Sequence, residues 1–357
     1  MFEEKDKGKK WSIFVLTGIL GCLLAFGAII IWIDPFFHYH APIEGISYSL
    51  IRENERYQNT GILTHFSYDT IITGTSLTEN FRTSECEKLF GGTAVKVPLA
   101  GGTYKEMNEQ LKKAFSSKNE IRTVIRCLDM QCLITDKDAM MENYDFPTYM
   151  TNDNLLDDVS YVLNKAVMKQ AVKNIAYTIR GYKSTSFDEY ANWMHDFCNG
   201  RDYVLMSYKL GEPADREREL TQEEITMIKE NVRQNVIELI KEHPETIFYL
   251  YIPPYSICYW DEIVNKGELM YWLTAEKIAV EELLNYSNIK LYSFANDFEV
   301  ICTLGNYSDQ VHYADWINTK ILKNMADETY MLTEDNYNGY FEKMETFLKA
   351  YDYTTLR

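Results

Sequence analysis

The sequence predicts an α/β fold: a three-layer α/β/α sandwich around a mainly parallel sheet, preceded by one N-terminal transmembrane helix. Three observations carry this. Short apolar runs alternate with amphipathic stretches through the first and last thirds of the 357 residues, as strands joined by crossover helices do. The first two such runs end in small-residue turns, Gly74-Thr75-Ser76 and Gly101-Gly102. An uncharged apolar segment, Ile13 to Ile33, lies near the start.

That segment is long enough, at about 1.5 Å per residue, to cross a hydrocarbon core of about 30 Å. Lys5, Lys7, Lys9 and Lys10 precede it and Asp34 follows. The positive-inside rule therefore places residues 1–10 in the cytoplasm, 11–33 in the membrane and 34–357 outside. The run ends in Trp32-Ile33-Asp34-Pro35 with no small-residue cleavage site, so it reads as a retained anchor. Cys22 follows Leu20-Gly21, loosely like a lipoprotein acylation site, but the apolar run continues beyond it. It reads as a membrane-facing residue.

Of the formal charge of −17, the first 33 residues carry +1 and the remainder −18. This balance argues against nucleic acid, and against electrostatic adhesion to anionic lipid, as partners. Six cysteines (Cys86, Cys127, Cys132, Cys198, Cys258 and Cys302) fall outside the membrane, without metal-ligand spacing or the density of a disulfide scaffold. Most of them, flanked by apolar or aromatic residues, read as free and buried, with any pairing left open. His38 and His40, in Asp34-Pro35-Phe36-Phe37-His38-Tyr39-His40, have no third ligand nearby in sequence and read as part of an interfacial aromatic collar. No cofactor and no metal is called for.

Arg52 to His65 reads as a helix leading into the first strand, Tyr68 to Gly74, and a helix after Ser76 stops at Gly91-Gly92. Val95 to Val97 is a second strand, followed by the Gly101-Gly102 turn and an amphipathic helix from Tyr104 to Phe115. A third strand covers Arg122 to Leu128. Between about 130 and 220 the pattern becomes helical and tyrosine-rich, broken by turns such as Asn152-Asp153-Asn154. This is the expected insertion, able to wall a cleft or to pack on the sheet. His195 within it reads as a packed or surface histidine. Thr221 to Glu224 forms a capping-box start to a long helix ending near His243. Strands Thr246 to Ile252 and Ile289 to Phe294, helices Glu268 to Leu284 and Ala314 to Met325, and the loop Tyr307 to Tyr313 complete the chain.

Ser76 would stand at the carboxyl end of a parallel strand, where open α/β sheets place their active sites. Helix-end amides there stabilise an alkoxide or oxyanion, although Gly-Thr-Ser also serves as an ordinary turn and helix cap. A loop opening on the same sheet edge holds Asp309 and His312. At this spacing Asp309 can orient the imidazole while His312 faces a third group. Gly101 and Gly102 would bring a second backbone donor, or form a plain strand-to-helix turn.

These residues resemble the SGNH or GDSL hydrolases, whose serine follows the first strand and whose Asp-x-x-His closes the domain. The resemblance implies Ser76 as nucleophile, Gly101 or Gly102 as oxyanion glycine, and Asp309 and His312 as acid and base. It covers the first and last thirds of the chain. Thr75 replaces the usual Asp before the serine, and Arg126-Cys127-Leu128-Asp129 stands where a Gly-x-Asn-Asp block is usual. That removes one oxyanion donor; Arg126 could substitute for it or be a structural arginine. The layout is similar to the membrane-anchored D-alanyl transfer protein of lipoteichoic acid modification and to alginate-type O-acetylation proteins. It implies an acyl relay through Ser76 to or from a surface polysaccharide or teichoic-acid-like acceptor, beside a multispanning membrane acyltransferase. A simple carbohydrate or acyl esterase and a non-catalytic scaffold or glycan-binding domain are the alternatives.

Overall fold

The computed structural model describes residues 2–141, 147–150, 154, 156–194 and 197–356. His195, Asn152 and Asp153 lie outside the described residues. Among the described residues six strands form one sheet in the order β2-β1-β3-β4-β5-β6: β1 Thr70–Gly74, β2 Ala94–Pro98, β3 Thr123–Cys127, β4 Ile247–Ile252, β5 Ile289–Ser293 and β6 Met331–Leu332. The first five pair in parallel, and β6 runs antiparallel on the edge. β6 was absent from the sequence reading, since two residues carry no periodicity. The four inner strands are buried on both faces over most of their length, so apolar residues fall on successive positions instead of strictly alternating.

The helices are α1 Phe2–Ile33, α2 Glu55–His65, α3 Thr83–Phe90, α4 Tyr104–Phe115, α5 Val159–Val162, α6 Lys165–Ile179, α7 Arg201–Ser207, α8 Gln222–Val232 and α9 Glu238–Glu242. They continue with α10 Ile257–Asn265, α11 Leu269–Leu283, α12 Phe298–Cys302, α13 Asp315–Ala326 and α14 Tyr337–Ala350. Register assigns them to layers. Ile72 pairs with both Lys96 and Ile125, so these share one face of the sheet, and Arg126 points to the other. Lys96 meets the carbonyls of Glu79 and Phe81 just before α3, and Phe90 of α3 packs on Tyr249. Arg126 meets the start of α4 and the turn before α9, and Phe115 of α4 packs on Phe248. The sheet is thus covered by helices on both faces.

Local chemistry explains where elements stop. Thr103 and Glu106 form a reciprocal capping box on α4, and Thr221 and Glu224 form one on α8, each contributing about 1 kcal/mol. Gly91, at φ 76°, ends α3. The long helix reaches Glu242, capped by His243 as expected, and carries within it a π turn, Arg233–Ile237. Arg126, buried beneath it, donates from Nη1 to the Asn235 carbonyl at 2.8 Å, taking up an acceptor at the irregular turn. No single α-helix follows Ser76. A 3-10 turn spans Ser76–Thr78, and α3 starts only at Thr83. The buried Lys96 ammonium claims the Glu79 and Phe81 carbonyls that a continuous helix would use.

α1 is long and apolar enough to cross a membrane. At its exit the buried Asp34, at φ 44°, accepts the amides of His38, Tyr39 and His40 and the Tyr161 hydroxyl. This Asx-type turn folds the chain back beside α1. His38 pairs with Asp158 at 3.0 Å, and among the described residues no three His, Cys, Asp or Glu side chains are grouped to hold a metal. All seven cysteines are free, and Cys198 is exposed rather than buried.

Candidate active site

The strand order reverses at β1, because β2 lies on one side of it and β3 on the other. Loops leaving the carboxyl ends of two such strands diverge and leave a crevice. The loops after β1, β2 and β3, together with the 309–312 loop, line a cavity of about 460 Å³ at this edge. Thr75, Ser76, Gly101, Gly102, Asp129, Gln131, Asp309 and His312 all face it.

Ser76 Oγ lies 2.8 Å from His312 Nε2, and His312 Nδ1 lies 2.8 Å from Asp309 Oδ2. The carboxylate accepts only, so Nδ1 carries the proton and Nε2 is left to accept the serine hydroxyl. Asp309 Oδ1 also accepts the amides of Val311 and His312, so the carboxylate closes its own loop. Ser256, after β4, donates its amide and hydroxyl to the Gln310 carbonyl and ties that loop to the sheet. Trp193 stands edge-on to the imidazole, with ring centroids 5.6 Å apart.

Burial raises the pKa of Asp309, but the hydrogen bond and charge of His312 and the two amides outweigh it and hold the carboxyl below its usual range. Burial lowers that of His312, but the hydrogen bond and charge of Asp309 prevail and leave the imidazole above its ordinary value. Each partner favours the charged form of the other.

Gly74 lets the serine turn close. A Cβ there would sit 2.5 Å from Thr78 Cγ2 and 2.6 Å from Cys127 Cβ. Gly101 holds φ 62° on the facing turn. The two turn glycines are not equivalent: the Gly102 amide donates to the Leu99 carbonyl at 2.8 Å. The amides of Ser76 and Gly101 have no acceptor among the described residues, and both residues line the cavity. Behind this turn, the Glu55 carboxyl accepts the Ala100 amide and the Asn59 side chain donates to the Pro98 carbonyl. Burial, then the charge of Glu79, raises the pKa of the Glu55 carboxyl well above its usual range.

The structure does not bring Arg126 to the cavity. Its side chain is buried on the α4 face of the sheet, over the Tyr104 ring and bonded to the Tyr104 and Asn235 carbonyls. Sequence reasoning passed over Asp129, two residues beyond β3. Its Oδ2 accepts the Thr75 hydroxyl at 2.8 Å, and its Oδ1 accepts the Tyr255 hydroxyl and the Gln131 amide. An acidic residue at a strand end on the serine's edge was the available signal.

No protein-family model matches this chain, and no curated protein matches it. A solved structure provisionally described as a platelet activating factor from Streptococcus pneumonia is similar at 11% identity and a TM-score of 0.40, over 78% of this chain and 92% of that one. At that similarity it carries no argument about this chain's chemistry.

Proposed function

We propose that the protein is a membrane-anchored serine acyl enzyme of the SGNH type, moving an acetyl or similar small acyl group to or from a cell-surface polysaccharide. The observation that carries this is the continuous Ser76–His312–Asp309 hydrogen-bond relay opening on the cavity. His312 Nε2 takes the Ser76 hydroxyl proton as Oγ attacks the acyl carbonyl. The resulting oxyanion is met by the Ser76 and Gly101 amides, which takes the role from Arg126. The imidazolium returns its proton to the departing oxygen, leaving an acyl ester on Ser76. An acceptor hydroxyl, deprotonated by His312, then displaces Oγ. Asp309 keeps the proton on Nδ1 throughout.

Hydrolysis to free acid is a second reading. His312 and Asp309 keep 28% and 39% of their side-chain surface exposed, so water can compete for the acyl ester. The test is acyl-ester turnover with serine-directed fluorophosphonate labelling, comparing the wild-type chain with Ser76→Ala and His312→Ala. The proposal expects label and turnover in the wild type and neither in the variants. Equal turnover in wild type and Ser76→Ala would sink it. Acylated glycan against free acid among the products separates the two readings.

A further inference from the structure

α6 is fastened to the protein by one face only. Val167, Gln170, Ala171 and Asn174 are buried. The Asn174 side chain accepts the Ser49 amide, the Gln170 side chain donates to the Ser49 carbonyl, and the Thr178 hydroxyl accepts the Ser47 amide. A second face, at the 4-3-4 spacing of a helical stripe, is apolar and uncovered. Met168 begins it half-buried, and Val172, Ile175 and Ile179 continue it at 67%, 40% and 80% exposure. Val159 and Leu163, on and just after the neighbouring α5, add 61% and 54%. A third face carries Lys165, Lys169 and Lys173, and the helix contains no acidic residue. That local basic character stands out in a region whose net charge is −18.

The position of this helix says what covers the stripe. α5 and α6 pack on the last turns of α1, where Ile30 and Ile33 form a small core with Tyr161, Val167 and Ala171. Val162 lies so close to Gly27 that a Cβ there would stand 3.3 Å from Val162 Cγ1. The exposed Trp11 and Trp32 bracket the anchor, separated by about 31 Å of helix at 1.5 Å per residue, close to one hydrocarbon thickness. Tryptophans favour the two membrane–water boundaries. α6 is thus held beside Trp32, at the level of the boundary.

We infer that α6 is an interfacial membrane helix: its Val172–Ile175–Ile179 stripe sinks into the leaflet that α1 enters on its carboxyl side, with Lys165, Lys169 and Lys173 at the level of anionic lipid headgroups. An apolar stripe beside a basic one is the composition such helices use. Attraction between lysines and lipid phosphates acts within about a Debye length, so it survives a distant surplus of acidic charge. The inference rests on the reading of α1 as a membrane span. It gives the domain a second contact with the bilayer, so that the Ser76 cavity is held at a fixed tilt and height relative to the membrane instead of swinging on one helix.

The test uses the full chain with Cys22→Ala and Cys198→Ser, reconstituted in phosphatidylcholine–phosphatidylglycerol nanodiscs. A single environment-sensitive fluorophore is placed in turn on Ile175→Cys, Ile179→Cys, Leu24→Cys in the anchor, and Lys229→Cys on the exposed surface of α8. The inference expects blue-shifted emission, lost to brominated lipid, at 175, 179 and 24, and water-like emission at 229. Quenching at 24 with water-like emission at 175 and 179 overturns this inference alone. Water-like emission at 24 overturns the spanning reading and the inference with it. A blue shift at 175 and 179 that brominated lipid does not quench means that protein, such as a second copy, covers the stripe, and overturns it equally.

Discussion

His312 Nδ1 stands 2.8 Å from Asp309 Oδ2, and each partner shifts the other toward its charged form. The base must be neutral to accept the Ser76 proton, so kcat/KM for acyl transfer rises with pH through one step. Because Asp309 raises the imidazole's pKa, that step lies above the ordinary histidine value of about 6.5. Asp309→Asn removes the raising partner and moves the step down while lowering the plateau. A pH–rate profile of the two proteins checks both; a step that stays in place excludes Asp309 as the orienting group.

Single removal of Ser76 or His312 should cost roughly 10⁴-fold or more in kcat, and removal of Asp309 somewhat less, since the relay works as a unit. The Ser76→Ala,His312→Ala double variant should be no worse than either single one. Additive losses in steady-state turnover would mean the two act separately.

Asp129 collects the Thr75 hydroxyl, the Tyr255 hydroxyl and the Gln131 amide. Asp129→Ala leaves two buried hydroxyls without their acceptor. We expect a loss on the order of 2–4 kcal/mol in denaturant unfolding, with a fall in kcat from the loosened serine turn. Thr75→Val removes one of these bonds and should cost about 1 kcal/mol.

Lys96 is buried in β2 with its pKa brought down to about 7 by burial, and it donates to the Glu79 and Phe81 carbonyls. Lys96→Met fills the space but supplies no donor. The expected cost is about 2 kcal/mol, together with weaker fluorophosphonate labelling of Ser76 in the chain that remains folded. Labelling at the wild-type rate would show that the turn holds without the ammonium.

Glu276, on α11, is buried, with neither carboxyl oxygen bonded among the described residues, and burial raises its pKa from 4.5 to about 8. Between these values the folded chain keeps a proton that the unfolded chain has released. Its contribution is fully present below pH 4.5 and is lost as pH rises through about 8. Glu276→Gln should remove this decline and add on the order of 2 kcal/mol at neutral pH, read as a higher Tm at pH 7.5 than at pH 5 relative to wild type.

Much of this architecture was legible because its signals are local. Buried parallel strands gather apolar residues on successive positions, glycine turns bound α3 and α4, a capping box announces α8, and a membrane-length run announces α1. Ser76, Asp309 and His312 were singled out by their place on one sheet edge, and two short loops bring all three together. Asp129 and Trp193 left no comparable trace, since an acid after a strand and a tryptophan in an irregular segment match too many other uses. The break after Ser76 was hidden for a related reason: the lysine that takes the turn's carbonyls sits on the next strand.

The sequence by itself determined the alternation of strands and helices, the long apolar N-terminal helix and the placing of a serine, an acid and a histidine in turns, because periodicity, hydropathy and turn chemistry act over a few neighbouring residues. Only the tertiary structure decided that Ser76 and His312, 236 positions apart, meet at 2.8 Å, that Gly101 rather than Gly102 keeps its amide free, and that Arg126 serves the core instead of the cavity. Those outcomes depend on sheet register and on competition for each buried donor and acceptor. Both are settled by contacts between segments far apart in the chain.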